Sequence, residues 1–89
     1  MYSVYILKSL KDGGYYIGCT TDLTTRLHRH NAGKTMSLKN RRPLMLVYSE
    51  KYENQQEAYL RERQVKSYHG GEAFKKLITN HRVSGGGIA

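Results

Sequence analysis

Residues 2–19 read YSVYILKSLKDGGYYIGC, and this stretch decides how the fold begins. β-Branched and aromatic residues fill both of its ends, as is typical of strands. Between them, KDGG (11–14) supplies the positive φ angles that a tight hairpin turn needs. The sequence therefore predicts a β-hairpin made of the strands YSVYIL (2–7) and YYIGC (15–19).

The hairpin carries tyrosines at positions where a small core would favour purely apolar residues, because a buried hydroxyl needs a hydrogen-bond partner. Side chains alternate between the two faces of a strand, so Tyr5 and Tyr16 can lie side by side on neighbouring strands. By the same alternation Tyr2 points to the face opposite Tyr5 and is expected to lie away from any site built on it. Gly18 interrupts the second strand, which indicates a close approach of backbone or ligand.

Downstream of the hairpin, the pattern predicts one more strand and three helices. DLTTRLHRHNAG (22–33) begins with an N-capping aspartate and ends in a helix stop. PLMLVYSE (43–50) is a short apolar strand, and NQQEAYLRERQVKSYHGG (54–71) is a helix that opens like a capping box. EAFKKLI (72–78) is a weaker helix. The predicted fold class is α+β, a three-stranded antiparallel sheet flanked by helices in the order β-β-α-β-α-α.

Length and charge limit what the chain can do. Its 89 residues suit one domain, predicted to span 1–80, followed by a flexible tail at 81–89 that contains SGGGIA. The 15 Lys and Arg outnumber the 7 Asp and Glu, and a net charge of +8 favours a polyanionic partner. With no apolar run near 20 residues and no leader, nucleic acid is favoured over a membrane. The single cysteine, Cys19, suits a reducing cytoplasm.

Both long helices place charged side chains on their buried stripes. In the first, Arg26 and His30 share an arc with Leu23 and Leu27; in the second, Glu62 interrupts an apolar face. A charge on a buried stripe needs a partner, a metal or a ligand. Each has an ordinary explanation: Glu62 pairs with a basic neighbour at the edge of the core, Arg26 extends its head group to solvent, or His30 favours the helix dipole.

Taken together, these residues suit hydrolysis of a phosphodiester. The reaction needs an activated water, a group that neutralises the phosphate, and help for the leaving oxygen. Glu62 can hold a Mg²⁺ ion, which proteins often bind through one or two carboxylates, waters and substrate phosphate. Arg26 offers a planar fork to phosphate oxygens, His30 can relay a proton, and the two tyrosines can orient or deprotonate water.

The motifs SVYIL (3–7), YYIG (15–18), TTDLTTRLHRHNAG (20–33) and EAYLRE (57–62) resemble the GIY-YIG nuclease superfamily, in particular its small stand-alone members. The likeness covers residues 2 to about 78 and implies cleavage of DNA with a divalent metal, Mg²⁺ or Mn²⁺. By this resemblance Glu62 matches the metal-binding glutamate. Which tyrosine deprotonates water differs among members of the family, and we assign that role to Tyr16, with Tyr5 as the alternative. The catalytic residues implied by the resemblance are Tyr5, Tyr16, Arg26, His30 and Glu62, with Gly18 making room beside the tyrosines.

The sequence departs from the family pattern in three ways. The first motif reads Ser3-Val4-Tyr5 rather than Gly-Ile-Tyr, which keeps the tyrosine. The family often has a late asparagine in its site, for which Asn80 and Asn40 are the candidates here. No second DNA-binding domain is expected to follow, so the choice of target would come from the domain itself, an oligomer or a partner protein.

The connection GKTMSLKNRRP (33–43) supplies a basic loop, and phosphate contacts from a loop position a protein without reading sequence. The predicted function is a metal-dependent DNA endonuclease of low sequence specificity, acting in DNA repair or recombination. A nucleic-acid-binding module that cuts weakly or not at all is the first alternative, and a membrane-surface or protein-interaction module is the second. The predicted DNA-binding residues are Lys34, Lys39, Arg41 and Arg42.

Overall fold

A central strand pairs with a strand on each side, and helices pack on the resulting sheet. The structure, a computed structural model, describes residues 1–85 and, among them, the side chains of 1–36 and 38–79. The strand order is β2-β1-β3, and both pairings are antiparallel, which confirms the predicted α+β fold and its order β-β-α-β-α-α. The elements are β1 (Tyr2–Ser9), β2 (Tyr15–Thr20), α1 (Leu23–Asn31), a 3₁₀ helix (Met36–Arg41), β3 (Leu44–Tyr52), α2 (Gln55–Lys66) and α3 (Glu72–Gly85).

The predicted helix starts are found at the expected residues. Asp22 accepts a hydrogen bond from the backbone N–H of Thr25 at 3.2 Å, and so caps α1. Asn54 accepts one from the backbone N–H of Glu57 at 2.8 Å and caps α2 in the same way. Each side-chain oxygen satisfies one of the N–H groups that have no partner within the helix.

Most strands and helices end within a few residues of their predicted bounds, and two features differ more from the prediction. The loop between α1 and β3 contains the 3₁₀ helix, which the sequence pattern did not show. Helix α3 runs through Glu72–Gly85, beyond the predicted 72–78, so it includes part of the predicted tail. Residues 86–89 lie outside the described part of the chain, and the division at residue 80 stays a prediction.

Strand β1 is buried on both faces, because helices cover both sides of the sheet. The side chains of Val4, Tyr5, Ile6 and Leu7 have no exposed surface. Tyr5 and Leu7 pack on the side of α1, together with Tyr16 and Leu27, and Ile6 packs on the opposite side. Tyr5 is therefore part of the core. The second cluster comprises Ile6, Tyr48, Val65 and Phe74.

The strand register brings the two motif tyrosines together. Tyr5 lies directly opposite Gly18, and Leu7 lies opposite Tyr16. Tyr5 and Tyr16 are thus diagonal neighbours on one face of the hairpin, a relation within reach of aromatic side chains. Their ring centroids are 6.2 Å apart.

Helix α2 is fastened to β3 by a polar cluster centred on Glu50. Arg61 donates from Nε to a carboxylate oxygen of Glu50 at 2.7 Å, and the hydroxyls of Tyr48 and Tyr52 donate to the same carboxylate. Burial opposes ionisation of Glu50, but these hydrogen bonds outweigh it and lower its pKa below the ordinary value of 4.5. The cluster holds the helix that carries Glu62. Tyr48, Glu50 and Tyr52 alternate along β3, but the sequence pattern does not reveal their contact with Arg61, because Arg61 comes from α2.

Candidate active site

A hydrogen-bonded chain joins the strand tyrosine to the first helix and the loop behind it. The hydroxyl of Tyr5 lies 3.0 Å from Nε2 of His30. The other ring nitrogen, Nδ1, lies 2.6 Å from the hydroxyl oxygen of Thr35. The ring of Tyr16 meets that of His30 edge-on, with centroids 5.3 Å apart. The structure therefore confirms that Tyr5, Tyr16 and His30 lie together, and it adds Thr35, which no sequence signal marks.

Gly18 leaves the space in which the Tyr5 hydroxyl lies. A Cβ atom at residue 18 would lie 2.5 Å from the hydroxyl oxygen of Tyr5 and 3.1 Å from a ring carbon of Tyr16. Both distances are shorter than a normal carbon contact. The expectation that Gly18 makes room for the tyrosines is met by this geometry.

Burial keeps both hydrogen-bonded groups neutral. His30 is 1% exposed, and its burial, with the charges of Arg26 and Arg29, lowers its pKa below 6.5. Burial, with a further contribution from Tyr16, raises the pKa of Tyr5 well above the ordinary value of 10, although nearby Arg26 opposes the rise. A neutral imidazole has one donor and one acceptor nitrogen, so two hydroxyl partners satisfy both.

A pocket of about 350 Å³ at the end of β2 brings the two long helices together. Arg26 from α1 and Glu62 from α2 both line it, as does Cys19 from β2. Burial and then the carboxylate of Glu62 raise the pKa of the Cys19 thiol, and the guanidinium of Arg26 opposes them. Arg26 and Glu62 thus line one cavity, although they are 36 positions apart in the sequence.

Tyr2 also lines this pocket, which corrects the expectation that it would lie away from the site. Alternation places it on the face opposite Tyr5, together with Cys19, since Val4 pairs with Cys19. The pocket takes residues from both faces, because Thr20 pairs with Ser3 on the Tyr5 side while Tyr2 and Cys19 lie on the α2 side. The error lay in assuming that the whole site would occupy one face of the hairpin.

The five predicted catalytic residues fall into two groups that Arg26 connects. Tyr5 and His30, which share a hydrogen bond, lie on the α1 side together with Tyr16, whose ring contacts both of theirs. None of the three is among the described residues that line the pocket. Arg26 lines the pocket with Glu62, and its charge also acts on the pKa values of Tyr5 and His30. The structure therefore places one cation between a carboxylate and a pair of hydroxyls.

Glu62 is 16% exposed and pairs with Lys66, whose Nζ lies 2.9 Å from its carboxylate. Pairing with a basic neighbour at the edge of the core was one interpretation of this residue from sequence. Pairs at this helical spacing stabilise a helix by only about 0.3–0.5 kcal/mol. The pair with Lys66 therefore adds little to the stability of α2.

Within the described residues, no group of three or more His, Cys, Asp or Glu side chains is placed to hold a metal ion. Glu62 is the single carboxylate among the residues of its pocket, where hydroxyl and amide oxygens of Thr20, Thr21 and Gln55 accompany it. Such a set fits Mg²⁺, which keeps several waters and takes one or two carboxylates plus substrate phosphate. It does not resemble a closed structural metal site.

The predicted basic loop is more constrained than its sequence implies. Arg41 pairs with Asp12 through Nε at 3.1 Å, and Arg42 donates from Nε to the backbone carbonyl of Lys39 at 2.8 Å. Lys34 and Lys39 are exposed. Two of the four predicted DNA-binding residues therefore already hold the loop in place, and two present free surface.

Lys11, from the hairpin turn, was missed by sequence reasoning. It lines a second pocket, of about 520 Å³, together with Lys39 and Arg42. Asn40 lines this basic pocket rather than the one that contains Arg26 and Glu62. The other candidate for a late site asparagine, Asn80, has a side chain outside the described part.

Comparison with known proteins agrees with the geometry. Residues 1–76 match the GIY-YIG catalytic domain. The chain belongs to the GIY-YIG family. The UPF0213 protein SH2523 of Staphylococcus haemolyticus is 40% identical to it over 75 residues, which cover 83% of this chain and 90% of that one. A UPF0213 protein of Staphylococcus aureus strain Mu3 is 44% identical over 66 residues, or 73% of this chain and 79% of the relative.

A solved structure resembles this GIY-YIG chain as well. The solution NMR structure of the UPF0213 protein BH0048 from Bacillus halodurans has a TM-score of 0.51 and 34% sequence identity, over 90% of this chain and 84% of that one. Family membership identifies the fold as that of a nuclease catalytic domain, for which DNA is the substrate class and a divalent metal the usual cofactor. Across residues 1–85, no helix is long and apolar enough to cross a membrane.

Proposed function

We propose that this GIY-YIG protein is a divalent-metal-dependent DNA endonuclease, which hydrolyses phosphodiester bonds with low sequence specificity in cytoplasmic DNA repair or recombination. The observation that carries the proposal is the pocket shared by Arg26 and Glu62, in a fold that also brings Tyr16 against the hydrogen-bonded Tyr5. It combines a phosphate-binding cation, a carboxylate and hydroxyl groups, which are the components that phosphodiester hydrolysis requires.

Arg26 would bind the scissile phosphate. Its planar guanidinium matches two phosphate oxygens at once and remains charged at any working pH. The charge of Arg26 lowers the pKa of His30 and opposes the rise in the pKa of Tyr5, which supports a place for this cation near the hydroxyl cluster. A phosphate held there would lie between Glu62 on one side and the tyrosines on the other.

Tyr16 would be the tyrosine that faces the attacking water. It is partly exposed, whereas Tyr5 is fully buried and cannot contact solvent directly. The raised pKa of Tyr5 keeps its proton in place, so that Tyr5 acts as a hydrogen-bond partner rather than as the base. His30, fixed by Thr35, would hold the Tyr5 hydroxyl in position.

Glu62 would hold the metal, Mg²⁺ or Mn²⁺, with water completing its coordination. When bound, such an ion stabilises negative charge on the phosphate and the leaving oxygen. In its absence Lys66 neutralises the carboxylate. The residues around Glu62 supply hard oxygen donors, which suit these two ions better than a soft metal.

DNA would be bound mainly through its phosphates. Lys34 and Lys39 are exposed in the loop after α1, and Lys11 extends this basic surface from the hairpin turn. Contacts of this kind give affinity without sequence readout. Selection of a target would then come from DNA structure, an oligomer or a partner protein.

The proposal is tested by incubating the protein with branched, nicked and intact duplexes in Mg²⁺, in Mn²⁺ and in a chelator. We expect strand cleavage only when a divalent metal is present. An Arg26→Ala variant purified in the same way should lose the activity, which excludes a contaminating nuclease. If the protein binds these DNAs but cuts none of them with either metal, the alternative of a binding module replaces the proposal.

A further inference from the structure

Tyr59 is an exposed aromatic side chain on the wall of the pocket that contains Arg26 and Glu62. Its side chain is 53% exposed, although it follows the buried Ala58 on α2. Leu60, the next residue, is 56% exposed but is not among the residues that line this pocket. The two neighbours are therefore equally open to solvent, and one of them faces the site.

Arg63 lies one helical turn beyond Tyr59 and contacts its ring. The guanidinium carbon is 5.8 Å from the ring centroid, within the range of a cation–π interaction. The contact orients the aromatic ring and adds a positive charge beside it. A flat aromatic ring next to a cation is suited to a nucleotide, whose base stacks while its phosphate is neutralised.

We propose that Tyr59 is a stacking platform for an unpaired base adjacent to the phosphate that is cut, so that the preferred substrate contains a single-stranded segment. The inference rests on the proposed function for the identity of the ligand as DNA. Bases inside a duplex already stack on each other, so only an unpaired base can place its face against a protein ring. The pocket fits such a nucleotide because Arg26 and Arg63 provide cations near the ring.

The charges around Tyr59 favour DNA over a protein as the ligand of this surface. The chain carries a net charge of +8, and the pocket contains one carboxylate, which the metal would neutralise. Stacking on an aromatic face accepts any base, because every base has a π-face. The platform therefore selects DNA structure without selecting sequence.

The experiment uses a DNA strand that carries 2-aminopurine, a fluorescent base that is quenched when it stacks. The probe is placed in a single-stranded flap at its junction with a duplex, and binding is measured with a chelator present so that cleavage cannot occur. We compare the wild type with Tyr59→Phe and Tyr59→Ala, and we use Leu60→Ala as the matched control for loss of an exposed apolar side chain.

The wild type, Tyr59→Phe and Leu60→Ala should all quench the probe, and Tyr59→Ala should not. Affinity of Tyr59→Ala for flapped DNA should fall about 5- to 150-fold, the range that stacking of one base supports. Its affinity for an intact duplex should stay unchanged. Equal quenching by Tyr59→Ala and the wild type would overturn the inference, and so would an equal loss of affinity for both DNAs.

Cleavage is measured separately, so that failure of this inference is distinguishable from failure of the proposed function. Stacking that depends on Tyr59 without cleavage in Mg²⁺ would support the platform and reject the nuclease. Metal-dependent cleavage with unchanged quenching in Tyr59→Ala would support the nuclease and reject the platform. A protein that binds none of the DNAs would overturn both.

Discussion

The hydroxyl of Tyr5 and Nε2 of His30 lie 3.0 Å apart, although Tyr5 is in the central strand and His30 is near the end of the first helix. Neither side chain has appreciable exposed surface. A buried hydroxyl and a buried imidazole each require a hydrogen-bond partner, and here each is the partner of the other. This contact ties the hairpin to the helix that carries Arg26, and the first predictions test it.

Substitution of the two motif tyrosines by phenylalanine should separate catalysis from stability. Tyr16→Phe should melt near the wild-type temperature yet cut DNA at least about a hundredfold more slowly, the effect typical of losing a general base. Tyr5→Phe leaves Nε2 of His30 without a partner, while Nδ1 keeps Thr35, and should lower the free energy of unfolding by roughly 1–3 kcal/mol. Single-turnover cleavage and thermal melts of both variants check this. If both variants cleave DNA at nearly the wild-type rate, the two tyrosines serve packing and not catalysis.

Gly18→Ala should damage the site by steric conflict alone. The added methyl would lie 2.5 Å from the Tyr5 hydroxyl and must displace the ring. Overpacking of this kind costs about 1–3 kcal/mol, and displacement of Tyr5 should also slow cleavage. Gly71→Ala is the comparison with a smaller conflict, because its methyl would lie 3.2 Å from one backbone carbonyl oxygen rather than 2.5 Å from a hydroxyl. Denaturant unfolding measures both variants. If Gly18→Ala is as stable and as active as Gly71→Ala, the close approach at Gly18 is not required.

Buried His30 should make the protein less stable in mild acid. Its pKa is lowered in the folded state, so the unfolded chain binds a proton more readily. The stability it contributes is complete above about pH 6.5, the unfolded value, and is lost as the pH falls through the lower folded value. His30→Gln should flatten the dependence of the unfolding free energy on pH below about pH 6.5. The exposed His28 serves as control, and His28→Gln should keep the wild-type pH dependence. If the unfolding free energy of His30→Gln depends on pH as that of the wild type does, His30 is not the group that causes the loss of stability in acid.

Binding to DNA should weaken with salt, and the exposed lysines of the loop should account for part of the dependence. Replacing both Lys34 and Lys39 by alanine should reduce the slope of log K against log salt by roughly 2. Arg41→Ala should change the slope less, because Asp12 already pairs with that arginine. Lys75→Ala with Lys76→Ala removes the same charge from α3. If this control lowers the slope as much as the loop variant does, DNA binds a different face.

The parts of the fold that depend on local sequence were predictable. The turn at 11–14, the cap at Asp22 and the cap at Asn54 each act within a few residues, so the pattern of neighbours reveals them. The charged residues of the site were also predictable, because Arg26 and Glu62 interrupt apolar stripes. The division of the predicted catalytic residues into the Arg26–Glu62 pocket and the Tyr5–His30 cluster was not predictable.

What sequence could not show depends on contacts between distant segments. Thr35 reaches His30 only because the loop folds back toward α1, and Lys11 joins the basic pocket only because the hairpin turn lies beside that loop. The Glu50–Arg61 contact likewise joins β3 to α2. The face on which Tyr2 lies was predictable. That a pocket would form at the end of β2 between residues of α1 and α2 was not, because it depends on how both helices pack.

The substitution Glu62→Gln tests the central claim most directly, since it removes the charge that would hold the metal and leaves the shape of the side chain. The measurement is single-turnover cleavage of a flapped duplex in Mg²⁺, with DNA binding measured in parallel. We predict that Glu62→Gln loses cleavage while its affinity for DNA stays close to that of the wild type, because binding depends on basic residues. Cleavage by Glu62→Gln at the wild-type rate would contradict the account.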